Sequence, residues 1–134
     1  MRINVSGETA ARSPEEHQGV VTALAFSPDG QLVAGSCRDG LVRLWQPSDL
    51  KRVGTLRGHS GYVTAAGFSP DGRTIATASN DGTVKLWAVH GRQELFTMPW
   101  HIAPWTQLTF SPDNSELVAC GEDGMLRIWR AEAK

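Results

Sequence analysis

Long apolar runs are missing from this sequence, and so is helical periodicity of any useful length. No stretch approaches a membrane span, and the N-terminal MRINVSGETAARSPEEH lacks the apolar run of a signal peptide. The chain therefore reads as soluble and cytoplasmic. Excess charge is missing too. A formal net charge of −1 provides no long-range attraction to nucleic acid or to an anionic membrane surface. Cysteine is scarce: Cys37 and Cys120 form no CxxC pair and have no metal-ligand histidine at useful spacing. They read as buried free thiols in a reducing compartment rather than a disulfide, and neither a metal site nor a cofactor is expected.

What is present is a hairpin, written three times. Thr74 to Trp87, TIATASNDGTVKLW, places two short apolar runs around Asn80-Asp81-Gly82. Asp-Gly between β-branched flanks is a strong hairpin signal. Equivalent stretches run from Gln31 to Trp45 and from Leu117 to Trp129, so that Trp45, Trp87 and Trp129 stand 42 residues apart. The same spacing relates His17, His59 and His101, and again Phe26, Phe68 and Phe110. Ser27-Pro28-Asp29-Gly30 recurs as Ser69-Pro70-Asp71-Gly72 and, with Asn114 last, as Ser111-Pro112-Asp113-Asn114. Proline presets φ for turn entry, aspartate bonds backbone amides, and glycine tolerates positive φ. In the middle unit the strands read as Tyr62 to Phe68, Thr74 to Ser79, Thr83 to Trp87 and Glu94 to Met98. The class is all-β, built of antiparallel meanders.

Over about residues 17–130, these motifs resemble the WD40 repeat family of β-propellers. The resemblance rests on Gly58-His59, the Ser-Pro-Asp-Gly turns and Asp81-Gly82-Thr83-Val84-Lys85-Leu86-Trp87. It implies three four-stranded antiparallel blades: repeat 1 over 17–58, repeat 2 over 59–100, and repeat 3 over 101–134 without its own outer strand. Residues 1–16 precede them as a short strand, Ile3-Asn4-Val5, and a polar connection. The sequence departs from the family pattern in places. Gln46, Ala88 and Arg130 stand where the family has aspartate after the tryptophan, and Glu16 and Trp100 replace Gly58 elsewhere.

The resemblance also implies a hydrogen-bonded set in each blade, carried here by His59, Ser79, Asp81 and Trp87, with Ser79 between the imidazole and the indole. Ser, His and Asp together invite a hydrolase reading, but no Gly-x-Ser-x-Gly elbow accompanies them. His17, Asp39 and Trp45, and His101, Asp123 and Trp129, occupy equivalent places, yet Cys37 and Gly121 replace the serine. A catalytic apparatus would not be written three times and deprived of its nucleophile twice. The set reads as scaffolding, with no catalytic residue, and the middle blade is expected to be the most rigid.

Propellers close with about 4–8 blades, so three make an open arc. Strand exchange resolves this: Arg2 to Ser6 of one chain would complete the last blade of another, head to tail. Two or three chains then give six or nine blades. The alternative is a segment of a larger or engineered propeller protein with no independent activity. On the first reading the function expected from the resemblance is that of a non-catalytic protein-interaction scaffold. The partner-binding face would comprise Arg38, Asn80 and Glu122 before the turn aspartates, with Tyr62, Trp105 and Trp100 near the strand entrances.

Overall fold

A computed structural model describes residues 20–99 and 104–131 of the chain. Its strands form three antiparallel meanders. The first sheet holds β1 (Val21–Phe26), β2 (Val33–Cys37), β3 (Val42–Trp45) and β4 (Arg52–Leu56) in that order. The second repeats it with β5 (Val63–Phe68), β6 (Thr74–Ser79), β7 (Thr83–Ala88) and β8 (Glu94–Pro99). The third has β9 (Trp105–Phe110), β10 (Glu116–Gly121) and β11 (Leu126–Arg130), three strands rather than the four of a full blade. No helix occurs among the described residues.

The turns form as their residues dictate. Ser27 Oγ donates to Asp29 Oδ1 at 2.7 Å, and the amides of Gln31 and Leu32 donate to Asp29 Oδ1 and Ser27 Oγ. Gly30 and Gly72 take φ of 73° and 74°, and Asn114 takes 67° in the third copy. Asparagine tolerates this left-handed region better than most residues, so the change from glycine leaves the turn intact.

The sheets stack against one another, with the core between them. Along β6 successive side chains point to opposite faces. Ile75 packs with Ala34, Val42, Leu44 and Leu56 of the first sheet, whereas Ala76 and Ala78 pack with Trp105, Leu117 and Ala119 of the third. Both faces of the middle sheet are therefore covered, which is why β6 carries no alternating charged residue. Each fully buried Val, Leu or Ile contributes roughly 1.5–3 kcal/mol, against about 1 kcal/mol for a typical hydrogen bond. Inter-sheet burial thus dominates the stability of the stack.

A bulge recurs in each first strand. Pairing steps from Val21↔Cys37 to Ala23↔Ser36, and from Val63↔Ser79 to Ala65↔Ala78, leaving Thr22 and Thr64 as the extra residues. In the third sheet Trp105↔Gly121 is followed by Gln107↔Cys120, leaving Thr106. A bulge re-aims its side chain. Here it turns a hydroxyl across the sheet boundary: Thr22 Oγ1 donates to the Val63 carbonyl, and Thr64 Oγ1 to the Trp105 carbonyl, both at 2.6 Å.

The stack ends on apolar surface. Leu24 and Phe26 on the first sheet, and Leu126 and Ile128 on the third, are exposed.

Candidate functional site

The middle blade holds a polar network between the first and second sheets. His59 Nδ1 lies 3.0 Å from Asp81 Oδ2, and His59 Nε2 lies 2.7 Å from Thr77 Oγ1. The Trp87 indole N–H donates to the same Thr77 oxygen at 2.9 Å. A consistent assignment has Thr77 donating to Nε2 and Nδ1–H donating to the carboxylate. The His59 side chain has no exposed surface, and burial lowers its pKa below the usual 6.5 despite the opposing effect of Asp81. Desolvation raises the pKa of Asp81, but hydrogen bonds from the Thr83 hydroxyl and amide, His59 and the Ser60 amide outweigh it and bring the value to about 2.

The hydroxyl in this network is Thr77, which corrects the sequence expectation of Ser79. Ser79 Oγ instead donates to the Tyr62 carbonyl at 2.7 Å and accepts the Asp81 amide at 3.0 Å, closing the turn and the strand entrance. The hairpin register explains the difference. Trp87 lies opposite Ile75, so its indole reaches the diagonal neighbour Thr77 and not Ser79, two residues further along. The equivalents of Thr77 are consequently Gly35 and Ala119, not the hydroxyl-poor Cys37 and Gly121.

The sister blades solve the same problem differently. A Cβ at Gly35 would fall 2.5 Å from the Trp45 ring, so the indole there lies directly on the strand. Asp39 engages Arg43, with Nη2 donating to Oδ2 at 2.7 Å, and Asp123 engages Arg127 at 3.1 Å. At the matching position Lys85 pairs with Glu94 at 2.8 Å, leaving Asp81 to His59. Trp129 stacks edge-to-face on Trp105 with centroids 5.6 Å apart. His17, His101 and Trp100 lie outside the described residues.

Chemically, this network satisfies its own polar groups. Thr77 is fully buried, so no substrate carbonyl can reach its oxygen, and the hydroxyl already serves the indole and the imidazole. Burial raises the pKa of Cys37, and both cysteines are free thiols. Among the described residues no three His, Cys, Asp or Glu side chains group as a metal site.

The exposed candidate face is built by three equivalent contacts. The amides of Arg38, Asn80 and Glu122 each donate to the carbonyl at a strand entrance, Val20, Tyr62 and Pro104 respectively, all at 3.0 Å. Their side chains are exposed, and the Arg38 guanidinium lies 6.0 Å from the Tyr62 ring centre. Trp105 does not join them. It is 2% exposed, with its indole donating to the Gly82 carbonyl at 3.0 Å, and so is a core residue between the second and third blades.

Residues 9–46, 50–88 and 92–130 each match the family described as WD domain, G-beta repeat. The chain belongs to the WD40 repeat family. Its second and third WD40 units run from β4 to β7 and from β8 to β11, so each begins with a strand hydrogen-bonded to the preceding sheet. That frame interlocks successive blades along the chain. No curated protein matches the sequence.

Proposed function

We propose that this WD40 chain is a non-catalytic protein-interaction scaffold that assembles from several copies into a closed propeller. The observation carrying the reading is the pair of apolar end faces, which a soluble monomer would leave in water. Assembly covers them and aligns the Arg38, Tyr62, Asn80 and Glu122 ends of successive copies into one continuous surface for a protein or peptide partner.

The first WD40 unit starts ahead of β1. In the other two units the corresponding opening stretch is a strand paired to the preceding blade. That frame supports donation of the N-terminal segment to β11 of another copy; Arg2 to Ser6, ahead of the matched residues, carries the apolar alternation that the polar stretch 8–16 lacks. Two or three copies make six or nine blades. The cysteine usage supports a reducing, cytoplasmic setting.

Native mass spectrometry tests the reading. Species at two or three times the 14.5 kDa chain mass are expected. A well-folded particle of 14.5 kDa would overturn self-assembly, and unchanged assembly after deletion of residues 1–7 would refute strand donation. The second reading, three blades of a larger propeller without an independent task, is favoured by that same monomer result.

A further inference from the structure

The two joints inside this chain are built alike. In each, the trailing face of one blade packs on the leading face of the next, and a bulge threonine of the earlier blade donates to a first-strand carbonyl of the later one. Thr106 is the third member of the series. Its Oγ1 lies 3.2 Å from the Cys120 carbonyl oxygen, as that of Thr64 lies 3.2 Å from the Ala78 carbonyl oxygen and that of Thr22 lies 3.1 Å from the Ser36 carbonyl oxygen. The threonine is thus oriented as in the blades whose forward bond is made.

The surfaces around it match. Leu126 and Ile128 are 68% and 46% exposed, whereas their equivalents Val42, Leu44 and Val84 are at most 1% exposed. At the other end Val21 is 43% exposed, although its equivalents Val63 and Trp105 are core residues. Phe26 is also bare, while Phe68 and Phe110 pack on cores. Terminal units of a stacked array ordinarily turn a polar face to solvent. Neither end does so here; each keeps the apolar residues that its equivalents bury against a neighbouring blade.

We propose that the trailing face of blade three receives the leading face of blade one from a second copy, with Thr106 Oγ1 donating to the Val21 carbonyl of that copy. Leu126 and Ile128 then cover Leu24 and Phe26, continuing the interface that the chain already forms twice. This rests on the self-assembly reading and deepens it by naming the residues that meet at the head-to-tail joint and the hydrogen bond that crosses it.

A mixing experiment decides it. One variant, Leu24→Asp with Phe26→Asp, blocks the leading face; the other, Leu126→Asp with Ile128→Asp, blocks the trailing face. All four positions are exposed, and circular dichroism verifies that both variants keep the sheet spectrum. Native mass spectrometry should find each alone at 14.5 kDa, and their equimolar mixture as a one-to-one dimer joined through the intact pair of faces. Either variant dimerising alone would make the joint isologous; that result, or a mixture that stays monomeric while wild type assembles, overturns the inference but not self-assembly. Wild type that stays monomeric overturns both and leaves the faces to blades of another chain. Thr106→Val should weaken association about fivefold, as for loss of one hydrogen bond, with Thr106→Ser restoring it. No change for Thr106→Val would remove the threonine from the joint.

Discussion

The Trp87 indole N–H and the Thr77 hydroxyl meet at 2.9 Å in a region without solvent exposure, and that single oxygen also engages His59. Thr77→Val keeps the shape but strands an indole N–H and an imidazole nitrogen. At about 1–3 kcal/mol per buried unsatisfied group, the expected loss is about 2–6 kcal/mol. Ser79→Ala, which removes the bond to the Tyr62 carbonyl and the one accepted from the Asp81 amide, should cost about 1–2 kcal/mol, and Thr77→Ser should recover most of the stability. Urea unfolding at one fixed protein concentration checks the order. A larger loss at Ser79 than at Thr77 would return the network to the serine.

Acid should weaken the middle blade in two stages. The folded-state pKa of His59 lies below 6.5, so its contribution is complete above pH 6.5 and declines as pH falls through the lower folded value. Asp81 is brought from 3.8 to about 2; its contribution is complete above pH 3.8 and is lost as pH falls toward 2. Asp29, Asp71, Glu94 and Asp113 are also lowered and steepen the second stage. The difference between wild type and Asp81→Asn isolates the Asp81 part. An NMR titration of His59 with a midpoint at or above 6.5 would contradict the first stage.

Gly35 should tolerate no side chain. A Cβ there meets the Trp45 ring at 2.5 Å and 2.9 Å, so Gly35→Ala must displace the indole and should cost about 1–3 kcal/mol. The reverse change at the equivalent Ala119, Ala119→Gly, should cost about 1 kcal/mol or less. Gly35→Thr would not rebuild the middle blade's network, because the indole occupies the space of the hydroxyl. Thermal melts of these variants provide the comparison, and a neutral Gly35→Ala would show that the indole does not rest on the strand.

The 42-residue register made the blades, their turns and most strand limits legible, because Asp-Gly hairpins and Ser-Pro-Asp turns are encoded within a few residues. Thr77 was harder. Thr77 and Ser79 lie two apart on one face of a strand, and only the pairing of Ile75 with Trp87 selects between them. Counting outward from the turn could have found it. Trp105 reads as a face residue in the sequence because its packing against the second blade and its bond to the Gly82 carbonyl are long-range, which no local pattern reports. The bulge threonines are illegible in the sequence for a related reason: each looks like an ordinary strand residue until its extra place in the ladder turns it toward the next sheet.

Those threonine bonds span 41 residues in both joints, and each boundary between sheets is crossed by neighbours along the chain. No pairing of the first blade with the last is needed for any part of the described fold. Folding can therefore start at the middle blade, with its complete network, and spread outward by one unit at a time. Loop-closure entropy is met in short equal instalments instead of one long return of the chain. In the proposed assembly, joining the ends is a bimolecular event, governed by concentration instead of by the folding of a single molecule.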